Sequence, residues 1–373
     1  MRAVIVGGGI GGLAAAIALQ QAGLEVRVLE QAGSLRAAGA GLWLWPNALA
    51  ALDRLGALGA VRMAGRVHEH SWIRSRRGRD LARVGALDAD GRPVESVAIQ
   101  RGALLGILTT MLGSSVLRTG APVVGVESVE PVVVRLADGS VERGDLLIGA
   151  DGVASVVREA LFGPSVVSDA GFAAWRAVVA FPGSPREAAM YWGHGSRFGL
   201  MPLADGVVNW YASLPTSAAF EPGSQLARHF EDWPPIVRAA INATPPSDIR
   251  VDRIHVSPTL PQWSRGCVTL LGDAAHPMTP SLGQGACQAL EDAVVLGSSL
   301  ARRQDIPGAL QDYERRRRPR ATRVAARSIR MDRLIQLSSS PLCALRDLAV
   351  SAVPGAVLRR MMADLWRFDP EGS

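Results

Sequence analysis

A glycine-rich turn between two β-like segments constrains the fold of this chain more than any other feature. Residues 2–30 read RAVIVGGGIGGLAAAIALQQAGLEVRVLE, in which Gly7, Gly9 and Gly12 follow a short apolar strand and open an alanine-rich helix. This spacing allows a tight turn, lets bare backbone approach a pyrophosphate and lets the helix pack closely on the strand. Glu30 ends the second strand, where a carboxylate accepts hydrogen bonds from ribose hydroxyls and repels a 2′-phosphate. The pattern therefore predicts a βαβ unit that binds the ADP half of FAD or NAD.

The rest of the chain does not repeat this βα pattern, which argues against a plain NAD dehydrogenase. Residues 171–258 alternate with a period of two and are rich in aromatic residues, as in FAAWRAVVAF and GVVNWYASL. This alternation predicts a mostly antiparallel sheet. The C-terminal third has a helical pattern. The sequence therefore predicts an α/β fold in which a nucleotide-binding domain is interleaved with an antiparallel sheet and followed by C-terminal helices.

A second glycine-bearing segment can hold the far end of a long cofactor. Residues 270–293 read LLGDAAHPMTPSLGQGACQALEDA, where a strand delivers Gly272 and Asp273 and a helix begins near Gly283–Gly285. A carboxylate accepts hydrogen bonds from ribityl hydroxyls, and a helix N-terminus offers N–H groups to a flavin ring that gains negative charge on reduction. The two segments together therefore predict FAD. His276 lies in the same loop, and we interpret it as structural rather than as a catalytic base.

Three motifs, in this order, resemble the FAD-dependent aromatic hydroxylases, the p-hydroxybenzoate hydroxylase family of flavoprotein monooxygenases. They are the glycine turn with Glu30, the segment IGADGVASVVR at 148–158, and the segment around Asp273. The resemblance covers roughly residues 1–335 and implies a Rossmann-like FAD-binding domain of the GR2 type with tightly, non-covalently bound FAD. By position it implies these FAD-binding residues: Gly7, Gly9, Gly11, Gly12, Glu30, Gln31, Arg36, Arg101, Val123, Asp151, Gly272, Asp273, Pro280, Gly283, Gln284, Gly285 and Ala286. Asp151 is equally well explained as a cap of the helix that follows it.

The pattern and the resemblance together divide the chain into three parts. They are a discontinuous FAD-binding domain at 1–67, 98–167 and 262–330, a substrate-binding sheet domain at 68–97 and 168–261, and C-terminal helices at 331–373. The last part contains the amphipathic stretch LCALRDLAVSAVPGAVLRRMMADLW. Packing against the protein is the commoner explanation for such a stretch, and docking to a membrane or to an apolar substrate is the alternative.

The resemblance also implies the reaction. NAD(P)H would dock transiently, because the chain has no second G-x-G-x-x-G, and would reduce the flavin. O2 would then give a C4a-hydroperoxyflavin that hydroxylates or epoxidises an electron-rich aromatic molecule. The predicted substrate pocket contains Arg197, Asn209, Tyr211 and Pro280. In the branch near the bacterial urate hydroxylases, an arginine in this context faces the substrate, but a tyrosine stands where this chain has Asn209, so urate is not predicted. No residue stands out as the proton acceptor.

Two other functions agree with the same motifs. A flavin-dependent reductase of an unsaturated lipid shares the fold, and a non-catalytic FAD-binding module shares the glycine turn. A related halogenase would need a catalytic lysine. The chain contains no lysine, so its 40 basic residues are all arginine. Schiff-base catalysis and a P-loop lysine are excluded for the same reason.

Composition limits the partners further. The three cysteines form no C-x-x-C and the six histidines form no H-E-x-x-H, so neither a disulfide frame nor a metal site is predicted. The net charge is +6, but the basic run at 313–333 has helical spacing without interleaved aromatics, which predicts a solvated helix face rather than nucleic-acid binding. No apolar stretch reaches transmembrane length and no signal peptide is recognisable. The prediction is a cytoplasmic monomer or homodimer.

Overall fold

The computed structural model describes residues 1–35, 40–85, 92, 95–164, 168–216, 224–303 and 305–369 of the chain. A six-stranded sheet lies at the centre of the first domain. Its strands are β1 (Arg2–Val6), β2 (Glu25–Leu29), β8 (Leu117–Arg118), β12 (Leu146–Gly149), β18 (Ser264–Arg265) and β19 (Val268–Leu270). They lie in the order β18-β19-β12-β1-β2-β8, and all neighbours are parallel except the edge pair β18 and β19. The predicted βαβ unit is confirmed, with β1 and β2 paired in parallel.

Two helices on this sheet run parallel and side by side. They are α1 (Ile10–Gln21), which connects β1 to β2, and α8 (Gly285–Arg302). A Cβ on Gly11 would lie 3.2 Å from the Cβ of Ala289, and a Cβ on Gly297 would lie 2.9 Å from the Cβ of Ala18. Because the chain positions increase together along both helices, both N-termini lie at the same end of the sheet. Small residues at the contact allow this close approach.

The second domain is built on a seven-stranded sheet. Its strands are β5 (Ser71–Ser75), β6 (Asp80–Val84), β13 (Ser168–Ala180), β14 (Ala188–Trp192), β15 (Arg197–Pro202), β16 (Val207–Pro215) and β17 (Arg250–Val256). The order is β17-β13-β16-β15-β14-β5-β6, and only β14 and β5 pair in parallel. The prediction of a mostly antiparallel sheet over this region is therefore confirmed.

The two faces of the large sheet have different roles. One face packs on α6 (Ser224–His229) and α7 (Pro235–Asn242). On this face Trp210 stacks on Phe198 with ring centroids 5.4 Å apart, and its Nε1 donates to Oγ1 of Thr244 at 2.8 Å. Asn209 and Tyr211 lie on the opposite face, because side chains alternate along a strand. That face is turned toward the first domain, since the backbone N–H of Gly41 donates to Oδ1 of Asn209 at 2.8 Å.

Smaller elements complete the described part of the chain. Two three-stranded antiparallel sheets contain β3 (Gly41–Leu44), β4 (Arg66–His68) and β7 (Ser96–Gln100), and β9 (Val123–Val129), β10 (Val132–Leu136) and β11 (Val141–Gly144). The remaining α-helices are α2 (Pro46–Arg54), α3 (Leu58–Ala64), α4 (Arg101–Thr110), α5 (Val156–Phe162), α9 (Ile306–Ile335), α10 (Ser340–Ala352) and α11 (Gly355–Trp366). Single 3₁₀ turns occur at Pro246–Asp248, Gly272–Ala274 and Pro280–Leu282.

The C-terminal part is helical, as predicted. No single helix among the described residues has the length and apolar composition needed to cross a membrane. Only α10 and α11 taken together meet that requirement, and their axes are bent by 93° at the connection.

Gly12 is the position at which the βαβ unit is least tolerant of a side chain. A Cβ there would lie 1.9 Å from the carbonyl oxygen of Gly7. We expect Gly12→Ala to lower the free energy of unfolding by about 3 kcal/mol, because backbone atoms must separate to admit the methyl group. The measurement is urea unfolding of the FAD-free protein. Gly106→Ala is the control, since Gly106 is an exposed helical glycine with open space at its Cβ position; it should stabilise the protein by about 0.5–1 kcal/mol. Equal unfolding midpoints for Gly12→Ala and the unmodified protein would contradict the packing described.

Candidate functional site

The turn between β1 and α1 leaves open space beside backbone N–H groups. Gly7 has a φ of +107°, and a Cβ there would lie 2.3 Å from the carbonyl oxygen of Ala150. Gly9 immediately precedes α1, and the position of its Cβ has no atom within 4 Å. The free N–H groups and the partial positive charge of the helix N-terminus are directed to this space. The fold therefore requires glycine at position 7, whereas the opening at position 9 suits a pyrophosphate.

Glu30 lies against the same turn. Its Oε2 accepts a hydrogen bond from the backbone N–H of Gly8 at 2.7 Å, and its Oε1 accepts one from Ala32 at 2.8 Å. Each carboxylate oxygen retains a lone pair for a ribose hydroxyl. Gln31 follows and is exposed. The predicted contact of Arg36 lies outside the described residues.

The loop that carries Asp273 follows β19 directly. We call its residues 271–276 the aspartate loop. Gly272 has a φ of +61°, so the chain turns sharply there and presents Asp273 toward α8. Oδ1 of Asp273 lies 4.0 Å from the position that a Cβ on Gly285, the first residue of α8, would take. Asp273 is exposed to solvent, but the atoms packed around its carboxyl group partly desolvate it and raise its pKa, and His276, Arg101 and Arg158 partly offset this rise. A carboxylate and a helix N-terminus thus meet here, as the ribityl chain and ring of a flavin require.

Arg158 holds the aspartate loop in place through hydrogen bonds to its backbone. Its guanidinium is buried and donates to the carbonyl oxygen of Ala274 at 3.0 Å and to that of Val153. Asp151 acts locally: it accepts from Oγ of Ser155 at 2.5 Å and from the backbone N–H of Val157 at 3.2 Å, so it caps α5. The arginine was not among the predicted site residues. The available signal was its position as the last residue of IGADGVASVVR.

A buried charge network fixes the loop and α8 to α9. Arg317 is completely buried and donates to Oδ1 of Asp292 at 2.7 Å and to Oε2 of Glu291 at 2.5 Å. Oδ2 of Asp292 accepts the backbone N–H of Gly272 at 3.0 Å and lies 2.5 Å from Nε2 of His276. Although burial alone would raise the pKa of Asp292, His276 and Arg317 lower it to about 2. The network therefore holds the ring of His276 through Nε2, while its Nδ1 is buried without a hydrogen-bond partner among the described residues.

The same network reaches the N-terminus of α8. Nδ2 of Asn47 donates to Oε1 of Gln284 at 3.0 Å and to Oε1 of Glu291 at 2.6 Å, and Gln284 is 1% exposed. Gly283 has a φ of +62°, and a Cβ there would lie 3.2 Å from Nε1 of Trp45. That Nε1 is buried without a hydrogen-bond partner among the described residues. The loop before α8, residues 280–284, is thus held in place by these hydrogen bonds. The indole ring of Trp45 lies beside it.

A second group of predicted residues lies on the seven-stranded sheet, on the face that contacts Gly41 through Asn209. Arg197 is 1% exposed, and its guanidinium lies 5.5 Å from the ring centroid of Tyr211 and 3.8 Å, Nη2 to Oδ1, from Asp332 of α9. A Cβ on Gly199 would lie 2.2 Å from Cε1 of Tyr211, so glycine lets the ring lie along the sheet. Oδ1 of Asp332 also accepts from Oγ of Ser281, next to Pro280. Burial raises the pKa of both Tyr211 and Asp332.

Three atoms of this group have no partner. Nε and Nη1 of Arg197 and Oδ2 of Asp332 are buried without a hydrogen bond among the described residues. Asn209 differs, because its Oδ1 is engaged by the backbone of β3. The sheet surface thus brings together Arg197, Tyr211 and Asp332, of which the last was missed by the sequence analysis. No sequence motif identifies Asp332, since it lies in the basic stretch of α9.

The remaining predicted residues lie around these groups. A Cβ on Gly11 would lie 2.6 Å from Cδ2 of Leu271, so Gly11 brings the glycine turn into contact with the aspartate loop. Val123 is buried at the start of β9, Arg101 is exposed at the start of α4, and Ala286 is half-buried in α8. Across the described ranges, no group of three or more His, Cys, Asp or Glu side chains could hold a metal ion.

The chain is similar in sequence and fold to several known proteins. Residues 1–328 match the family described as FAD binding domain. The chain is 36% identical to the aurachin C monooxygenase/isomerase of Stigmatella aurantiaca over 93% of each chain. It is 34% identical to the FAD-dependent urate hydroxylase of Klebsiella oxytoca over 85% of this chain and 86% of that one. The crystal structure of Klebsiella pneumoniae HpxO complexed with FAD and uric acid is similar with a TM-score of 0.89 and 28% identity, covering 98% of this chain and 97% of the other.

The open space at Gly9 generates a prediction about cofactor binding. Gly9→Ala should leave the stability of the FAD-free protein unchanged, because nothing lies within 4 Å of the new methyl group. It should weaken FAD binding about tenfold or more, because the methyl occupies the space that the pyrophosphate approaches. Fluorescence titration with FAD measures the affinity. Gly59→Ala, at an exposed glycine of α3 with equally open space, should leave the FAD affinity unchanged. Unchanged FAD affinity in Gly9→Ala would refute the assignment of this opening.

The buried arginine generates a prediction about stability. Arg317→Met leaves Glu291 with Arg320 and Asp292 with His276 as the remaining side-chain partners named here, so we expect the free energy of unfolding to fall by about 3 kcal/mol and FAD to dissociate more readily. Arg315→Met is the matched control on the same helix, because the Arg315 side chain is 68% exposed and forms a surface pair with Asp312; its effect should stay below about 1 kcal/mol. Chemical denaturation measures the free energy of unfolding of both variants. Equal losses would show that the buried ion pairs of Arg317 contribute no more to stability than the surface pair of Arg315.

Proposed function

Because the chain belongs to the FAD binding domain family and is an FAD-dependent monooxygenase, we propose that it uses NAD(P)H and O2 to hydroxylate a small electron-rich aromatic molecule held at Arg197. The predicted aromatic hydroxylase family, the predicted cofactor FAD and the predicted enzyme class are confirmed by these relatives. The roles of individual residues, the division into domains, the transient docking of NAD(P)H and the cytoplasmic location are parts of the proposal.

The residues at the first domain suit FAD. The opening at Gly9 and the N-terminus of α1 would receive the pyrophosphate, and Glu30 would accept the ribose hydroxyls. Asp273 would accept the ribityl hydroxyls, while the N-terminus of α8 at Gly285 would face the ring. When bound, FAD supplies the reaction with O2 and the oxygen transfer. The chain supplies the binding, the orientation and the polar groups around the substrate.

The observation that carries the substrate proposal is the incompletely partnered guanidinium of Arg197. Its Nε and Nη1 are buried and make no hydrogen bond among the described residues, and its Nη2 approaches Oδ1 of Asp332 only to 3.8 Å. A buried cation without acceptors costs several kcal/mol. A substrate oxygen, either anionic or carbonyl, would remove this cost. The adjacent ring of Tyr211 offers an aromatic substrate a surface to stack on.

Asp332 supplies the acceptor that the sequence analysis did not find. Its Oδ2 is buried without a partner, and burial raises the pKa of the carboxyl group. A carboxylate with a raised pKa is a stronger base than an exposed one. We propose that Oδ2 accepts the proton of a substrate O–H or N–H group, and that Arg197 stabilises the anion that remains. An ionised substrate is more electron-rich and therefore more easily hydroxylated.

The experiment follows NAD(P)H oxidation by the FAD-loaded protein in air with a panel of hydroxybenzoates, pyridones, quinolones and urate. Substrate-stimulated oxidation, with isotopically labelled O2 incorporated into the product, is the expected result. A product reduced at a double bond without oxygen would replace the proposal with a lipid reductase, and no turnover with either nicotinamide would leave an FAD-binding module.

Arg197→Met tests the substrate site. We expect kcat/KM for the active substrate to fall about a hundredfold, because a charge-assisted hydrogen bond to the substrate is lost. FAD absorbance and thermal unfolding verify that the variant is folded. Arg176→Met is the matched control, because Arg176 is the cross-strand neighbour of Tyr211 but is 41% exposed and paired with Asp252 at 2.7 Å. Equal kinetics for both variants would exclude Arg197 from the substrate site.

A further inference from the structure

Two C-terminal helices present large aliphatic side chains to solvent. The apolar residues of this surface are between 37% and 62% exposed, and they are Leu342, Leu345, Leu348, Val353, Val357 and Met361. Spacings of three and four residues place Leu342, Leu345 and Leu348 on one side of α10, and Val357 and Met361 on one side of α11. Val353 lies at the connection between the two helices. Surface helices normally direct polar side chains to water. We call these six residues the C-terminal apolar face.

The opposite sides of the same helices are firmly attached to the protein. Arg346 of α10 is buried, donates to the carbonyl oxygen of Gly193 at 3.1 Å and lies 5.4 Å from the ring centroid of Trp192. In α11, Trp366 is buried and stacks on Trp45 with ring centroids 5.4 Å apart. The exposure of the C-terminal apolar face therefore does not result from helices that are detached from the core. An exposed apolar face of this kind marks an interaction site.

The charges beside this face are positive. The two acids of α10 and α11 are already paired: Asp347 accepts from Arg346 at 2.8 and 2.9 Å, and Asp364 lies 2.6 Å from Arg327. Arg359 and Arg360 have no acidic partner among the residues that the structure describes. Arg360 is exposed and lies three residues after Val357, so it borders the apolar side of α11. The surface is thus apolar with an excess of arginine.

We propose that the C-terminal apolar face docks on the surface of an anionic lipid bilayer. The aliphatic side chains would enter the boundary of the acyl chains, and Arg359 and Arg360 would meet lipid phosphates. Charge favours this partner over a second copy of the chain, which would bring the same unpaired arginines to a shared interface. The net charge of +6 acts in the same direction.

The geometry indicates that the helices lie on the membrane rather than cross it. α10 has 13 residues and α11 has 12, and the bend between them is 93°. A straight span needs about 20 apolar residues. The inner side of α11 contacts Trp45, which lies beside Gly283. Docking would therefore bring the candidate site close to the bilayer, where an apolar substrate is concentrated; this consequence rests on the proposed function, whereas docking itself does not.

The test is co-sedimentation of the FAD-loaded full chain with phosphatidylcholine vesicles, with and without about one third phosphatidylglycerol. We expect binding to the anionic vesicles that falls with added salt. The double variant Leu345→Ser/Leu348→Ser should bind about tenfold more weakly, because two exposed aliphatic groups no longer enter the lipid. Arg359→Gln/Arg360→Gln should lose the difference between the two kinds of vesicle.

Controls separate docking from folding and from self-association. Met63→Ser removes an aliphatic side chain that is 89% exposed on α3, and it should bind vesicles like the unmodified protein. FAD absorbance and thermal unfolding should be the same in all variants. The proposal is overturned if the protein stays in the supernatant with both vesicles, or if Leu345→Ser/Leu348→Ser binds as well as Met63→Ser. It is also overturned if light scattering without lipid shows a dimer that this double variant abolishes, since a second copy would then cover the face. None of these measurements requires turnover, so they are independent of the proposed reaction.

Discussion

The geometry of the candidate site depends on one buried cation. Arg317 of α9 pairs with Asp292 and Glu291, and no water reaches any of the three side chains. Asp292 in turn fixes the backbone at Gly272, and Glu291 fixes Asn47. Arg317 therefore links the aspartate loop to the loop before α8, and Arg320 adds a second cation at Glu291 through hydrogen bonds of 2.7 and 2.9 Å. The arrangement is stable because every charge in it has at least one partner of opposite sign, which compensates for the loss of hydration.

The parallel alignment of α1 and α8 follows from glycine and alanine at their contact and has a direct electrostatic consequence. Both N-termini lie at one end of the central sheet, so two positive helix ends act on one groove. Gly11 brings the first helix against Leu271, the first residue of the aspartate loop. The distance between the two predicted ends of the cofactor site is therefore set by close packing of Gly11 against the side chains of Leu271 and Ala289.

Local patterns in the sequence predicted the elements that are themselves local. The βαβ unit around Gly7 and Glu30 and the antiparallel sheet are recognisable because each depends on residues close in the chain. The supporting network was not predictable in this way, since Arg317 and Asp292 are 25 residues apart and Arg158 and Ala274 are 116 apart. Asp332 was missed for a further reason: it stands among arginines that were interpreted as a solvated face. Burial of one carboxylate in a basic helix becomes visible only when the helix is packed against the sheet.

The pairing of buried charges differs between the network beside the cofactor site and the proposed substrate site. Near the cofactor site, the buried charges of Arg317, Glu291 and Asp292 are matched within the chain. At the sheet surface, Arg197 and Asp332 are equally buried but approach only to 3.8 Å and retain unpartnered atoms. A protein of marginal stability tolerates few such atoms, and they persist where a ligand completes them.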